Sequence, residues 1–145
     1  MSAIPFTDRE LRNAWRDLSA IAKPTTASTR NNPRRLLLFY AVECGLKAVW
    51  LKRQNRSLFD REDIDKTGHD LRQVLKELRV GAELSLPENL QLNPVTRDGV
   101  HVPRKGDIRI LHQIWRYGGN CTTPTDFDCE HQLEQVLNWI QGELK

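Results

Sequence analysis

Apolar residues recur every three or four positions along most of this chain, the period of a helix with one buried face. Leu11, Trp15, Leu18 and Ile21 form the first such stripe, and Thr7 with Glu10 makes a T-x-x-E capping box ahead of it. A polar loop over 23–32, "KPTTASTRNN", leads to the most apolar stretch, "RRLLLFYAVECGLKAVWLKR" over 34–53. Asn32 suits an N-cap and Pro33 the first helical position, so a second helix is predicted from there to about Gln54. After a connection containing "FDREDIDK", which has room for one helical turn, Thr67 and Asp70 offer caps to a third helix, "GHDLRQVLKELR". Its apolar face carries Leu71, Val74, Leu75 and Leu78, and Gly81 ends it.

Residues 82–106 are the least regular, broken by Pro87, Pro94, Gly99, Pro103 and Gly106, and only "DGVHV" (98–102) hints at a strand. Asp107 caps a fourth helix, "IRILHQIWRY", which Gly118 and Gly119 stop. A fifth runs from near Asp126 to the end of the chain on a stripe of Leu133, Val136, Leu137 and Ile140. The expectation is one all-α domain over 1–145, an up-and-down bundle of about five helices.

Length changes this picture little: 145 residues can bury a core without metals or disulfides. Charge adds a mild bias, since 22 Lys and Arg against 19 Asp and Glu leave +3, compatible with an anionic ligand without requiring one. The three cysteines form no disulfide framework, and Cys44 inside the apolar helix reads as a small buried hydrophobe. With no apolar leader and no run long enough to span a bilayer, a reducing, cytoplasmic setting away from membranes is expected. Cys121, Cys129 and His131, with His112 nearby in sequence, space as C-x7-C-x-H and match no standard zinc site, so no metal or cofactor is predicted.

The apolar helix nevertheless carries Glu43 and Lys47 in its middle, and a buried charge is costly unless paired. They stand at i and i+4 with the acid first, the favourable order, and Tyr40 lies a turn before on the same side. A solvated ion pair contributes a few tenths of a kcal/mol and explains the spacing equally well. The alternative is a face that looks onto a pocket or interface, with Arg34 and Arg35 adding positive charge at the helix start.

Three segments carry a resemblance. Ala41-Val42-Glu43 with Leu46-Lys47, then Gly68-His69-Asp70-Leu71, then Trp115-Arg116-Tyr117 resemble, in order and separation across 34–118, the HEPN family (higher eukaryotes and prokaryotes nucleotide-binding domain). The resemblance implies a homodimeric helical bundle directed at RNA or nucleotides, in toxin–antitoxin or phage-defence systems. Some members dock a partner effector, often a nucleotidyltransferase, and others are metal-independent ribonucleases with an R-x(4–6)-H motif. That spacing is absent here: Arg97–His101 and Arg109–His112 have three and two intervening residues. A nuclease site would therefore be assembled from separate segments, with His69 or His112 moving the proton and Arg116 or Arg109 on the phosphate. Tyr40, Glu43, Lys47, Asp70, Tyr117, Arg34 and Arg35 are the expected ligand or interface residues. Without the nuclease motif, a binding or assembly module is the leading expectation, with a ribonuclease and a structural helical bundle without ligand as the alternatives.

Overall fold

A helix apolar around most of its circumference must be largely surrounded, and the segment after the polar loop is such a helix. In the computed structural model, which describes residues 4–24, 30–68 and 70–145, it forms α2 (Asn32–Arg53) and runs through the core. Leu38, Ala41, Val42, Leu46, Ala48 and Leu51 of α2 are fully buried. Around it pack α1 (Asp8–Ile21), α4 (Leu71–Glu77), α5 (Leu111–Arg116) and α6 (Asp126–Glu143). At Gly45 the approach is close: a Cβ there would lie 2.8 Å from Ile140 of α6 and 2.9 Å from Trp15 of α1.

The helix ends follow local chemistry. Thr7 and Glu10 make the expected capping box at α1. Helix α2 starts one residue earlier than predicted, because Asn31 is the N-cap and accepts from the Arg34 amide, leaving Pro33 in the first turn. Asp60 and Asp63 cap α3 (Arg61–Thr67), which fills the connection where a single turn was expected. Asp70 caps α4, while Thr67 closes α3. Asp107 caps a short 3-10 turn (Ile108–Ile110) leading into α5.

The prediction of an all-α bundle is corrected by two antiparallel sheets. A small ribbon pairs β1 (Phe6–Thr7) with β2 (Leu58–Phe59). The irregular connection is a hairpin of β3 (Leu90–Arg97) and β4 (Val100–Gly106), and β5 (Cys121–Thr123) pairs with β3 in the order β4-β3-β5. Asp98 and Gly99 both take positive φ, 51° and 79°, the conformation a two-residue hairpin turn demands. The prolines that read as breakers sit where strands tolerate them. Pro94 lies in the register shift between Leu92 and Val95, beyond the residues β5 pairs with, and Pro103 lies on the outer strand. The fold is a helical core with a projecting β-hairpin. Among the described residues no helix is long and apolar enough to cross a membrane.

Candidate functional site

Residues four apart on a helix share a face. On α2 that rule lines up Tyr40, Glu43 and Lys47, and on α5 it puts His112 and Arg116 one turn apart; packing α5 against α2 brings the two rows together. An Arg116 Nη2 donates to the Tyr40 hydroxyl across the seam. The His112 ring lies over Phe39, centroids 5.5 Å apart at 34°, and 6.4 Å from the Tyr40 ring. Phe39 and Tyr40 meet edge to face at 6.0 Å. Further along α2, Lys47 Nζ stands 3.9 Å from Glu43 Oε2 and 5.2 Å from the centre of the Phe59 ring, both side chains half-buried.

The electrostatics follow from this packing. Burial first, then the Arg116 charge, push the His112 imidazole below its ordinary 6.5, while Glu43 pulls the other way. Among the described residues, Nδ1 of His112 is buried without a hydrogen-bond partner, which adds to the cost of an imidazolium carrying N–H on both nitrogens. Beside them burial, then Glu43, push the Cys44 thiol up to about 11, so the seam offers no thiolate at neutral pH. Arg116 is fully exposed, and hydrogen bonding to Tyr40 raises its already high pKa. The seam therefore pairs a neutral imidazole with a fixed, solvent-facing guanidinium.

The other predicted residues lie elsewhere. Tyr117 follows α5 and is 78% exposed. Asp70 accepts from the Arg72 amide at 3.0 Å as the α4 cap. It lies beside a cavity of about 400 Å³ that Arg72, Glu88, Lys105 and Asp107 also line. Arg109 forks onto Asp107 there, with N–O distances of 2.7–3.2 Å. Arg34 donates to the Ile21 and Lys23 carbonyls at 2.7 and 3.1 Å, closing the end of α1. Arg35 meets Glu130 at 3.0 Å and Asp126 at 3.5 Å. His69 lies outside the described residues.

Arg97 and His101 flank the hairpin turn. Arg97 opposes Val100 and Thr96 opposes His101, so the two side chains leave opposite faces. Cys129 hydrogen-bonds Cys121, and that bond with burial raises its thiol pKa far above the usual range. Among the described residues no three His, Cys, Asp or Glu side chains group closely enough to hold a metal ion.

Sequence reasoning missed Phe39, the floor under His112, which reads as one more apolar residue of α2. It also missed the carboxylates that hold Arg35, Asp126 and Glu130, which lie about ninety residues away in sequence. No local signal marks either. No protein-family model matches the chain, and no curated protein or solved structure matches it.

Proposed function

We propose that this protein is an RNA-directed binding module whose α2–α5 seam holds a phosphodiester. One observation carries the reading: His112 and Arg116, a turn apart on α5, face Tyr40 and Glu43 across the seam. Arg116 is exposed, hydrogen bonds to the Tyr40 and Tyr117 side chains hold its direction, and its five N–H donors leave others for a ligand. A guanidinium so held suits bidentate contact with a phosphate. The Tyr40 hydroxyl and the neutral imidazole supply further hydrogen bonds without adding a charge that must be desolvated.

A second reading, metal-independent cleavage, draws on the same pair. His112 would take the proton of the ribose 2′-hydroxyl as that oxygen attacks phosphorus, and Arg116 would stabilise the charge that develops there. The 5′-oxygen would leave taking a proton from water, and a 2′,3′-cyclic phosphate would remain. Binding is preferred because, among the described residues, His112 is the seam's one imidazole and its neighbouring thiol stays protonated.

A labelled single-stranded RNA in the presence of EDTA tests both. Arg116→Ala is expected to weaken binding roughly tenfold or more, the loss of one charge-assisted contact, with the RNA intact after incubation. Cleavage that disappears in His112→Gln would move the reading to the nuclease. Absence of RNA binding by the intact protein at micromolar concentration would sink it.

A further inference from the structure

The β3–β4 hairpin and the exposed end of α5 form a second surface, and its two faces differ in chemistry. Register partners share a face, so Val95 with Val102 and Arg97 with Val100 lie together, and alternation along β4 adds Arg104. Leu92, paired with Arg104, continues this face into a groove of about 230 Å³ that Tyr117 borders and Ile110 and Ile114 floor. Val95, Val100 and Tyr117 are 42%, 65% and 78% exposed, so an apolar and aromatic strip reaches solvent here. Among the described residues Arg97, Arg104 and Arg116 make no ion pair; Arg104 donates only to the Asn93 carbonyl, at 2.8 Å. The hairpin's one acid, Asp98, sits in the turn, and no carboxylate lines the groove.

Unneutralised arginines along an open strip, with an aromatic ring at its end, fit an anionic polymer whose flat groups are unstacked. We propose that this face binds single-stranded nucleic acid, with one base stacked on Tyr117 in the groove and successive phosphates on Arg104 and Arg97. The groove is smaller than the roughly 300–1,000 Å³ of drug-sized pockets, which suits one ring rather than a protein side of any bulk. Stacking on an aromatic side chain is tolerant of base identity, and arginines beside it track the backbone. The assignment rests on the RNA-directed reading of the seam and extends it, since Tyr117 follows Arg116 directly and places the strand's path from the seam onto the hairpin.

The test is fluorescence anisotropy with a labelled 12-residue oligouridylate across a salt series. Tyr117→Ala should weaken binding about tenfold and Tyr117→Phe should restore it, because the ring and not the hydroxyl makes the stack. The double change Arg97→Gln with Arg104→Gln should lower the slope of log K against log salt by about 1.4, two phosphate contacts at roughly 0.7 each. These positions are exposed, so circular dichroism should be unchanged. Oligothymidylate should bind comparably and a duplex more weakly. If Tyr117→Ala binds like the unaltered protein while Arg116→Ala does not, the hairpin face is refuted and the seam reading stands. If the hairpin variants lose binding and Arg116→Ala keeps it, the seam reading fails and the hairpin face stands. Equal binding of oligoglutamate would overturn the nucleic-acid assignment in favour of an acidic protein partner.

Discussion

Asp63→Ala is expected to remove about 3–5 kcal/mol of stability, the cost of breaking a buried charge pair. The Asp63 side chain is 1% exposed and accepts from the Trp50 indole at 2.9 Å, from two Arg56 nitrogens at 2.5 and 2.6 Å and from the Asp60 amide at 2.9 Å. Alanine would leave the indole N–H buried and unpaired and would open the capping box of α3. Arg56 is a third exposed and can turn to water, so the lower end of the range is the better expectation. For a domain of this size that corresponds to a fall of roughly 10 °C in Tm.

The same site gives a pH signature. Burial favours the neutral acid, but hydrogen bonds from Arg56, the Asp60 amide and Trp50 outweigh it and hold the carboxyl well below its ordinary 3.8. A depressed folded pKa means that the unfolded chain binds the proton more readily, so stability rises with pH. The contribution is complete above about 3.8 and is lost as pH falls from there toward the folded value. Thermal melts between pH 5 and 2 should therefore show a steeper acid loss in the unaltered protein than in Asp63→Ala. Parallel curves would contradict the assignment.

Glu130→Ala is the second large effect, about 3 kcal/mol for a buried carboxylate shared by two guanidiniums. Glu130 is 4% exposed and accepts from Arg30 and Arg35, each at 3.0 Å, tying the start of α2 to α6. Its loss leaves Arg30 with Glu134 and the Ala22 carbonyl, and Arg35 with Asp126 and Asn32. Glu134 is the control. It also pairs with Arg30 but is 42% exposed, so Glu134→Ala should cost under about 1 kcal/mol. Urea denaturation of both variants decides the point: similar losses would mean that burial of the network, rather than the count of pairs, had been misjudged.

These nodes also mark where sequence reading stops. Trp115 repeats the Trp50 arrangement, its indole donating to Asp126 at 2.9 Å. No local signal marks either bond, because a carboxylate partner eleven or thirteen positions away has no periodic signature. Capping chemistry was legible because it is local: Thr7 with Glu10 and Asp70 before Leu71 act within one turn. The start of α2 slipped by one because Asn31 and Asn32 are chemically alike and tertiary fit chose between them. The hairpin was lost for a different reason. Its strands are exposed on both faces from Asn93 to Val100, so no alternation of apolar and polar residues marks them. The "DGVHV" stretch over 98–102 was the one hint, and Pro94 and Pro103 outweighed it.

The seam was half legible. Helical spacing placed Tyr40, Glu43 and Lys47 on one side of α2. That His112 and Arg116 complete the row depends on α5 crossing α2, a consequence of packing Ile114, Trp115 and Leu111 into the core. Arg34 and Arg35 read as free positive charge only because the Ile21 carbonyl, Glu130 and Asp126 are distant in sequence.

The imidazole of His112, followed by NMR in the free protein and with oligouridylate, tests the seam most directly. In the free protein it should titrate below 6.5, since burial and then Arg116 disfavour the charged ring, and Arg116→Ala should raise its pKa. A phosphate held by Arg116 adds negative charge beside it, so RNA should shift its ring resonances saturably and raise its pKa, and Arg116→Ala should abolish that response. Ring signals that stay in place at RNA concentrations saturating the protein would contradict a phosphate site between α2 and α5.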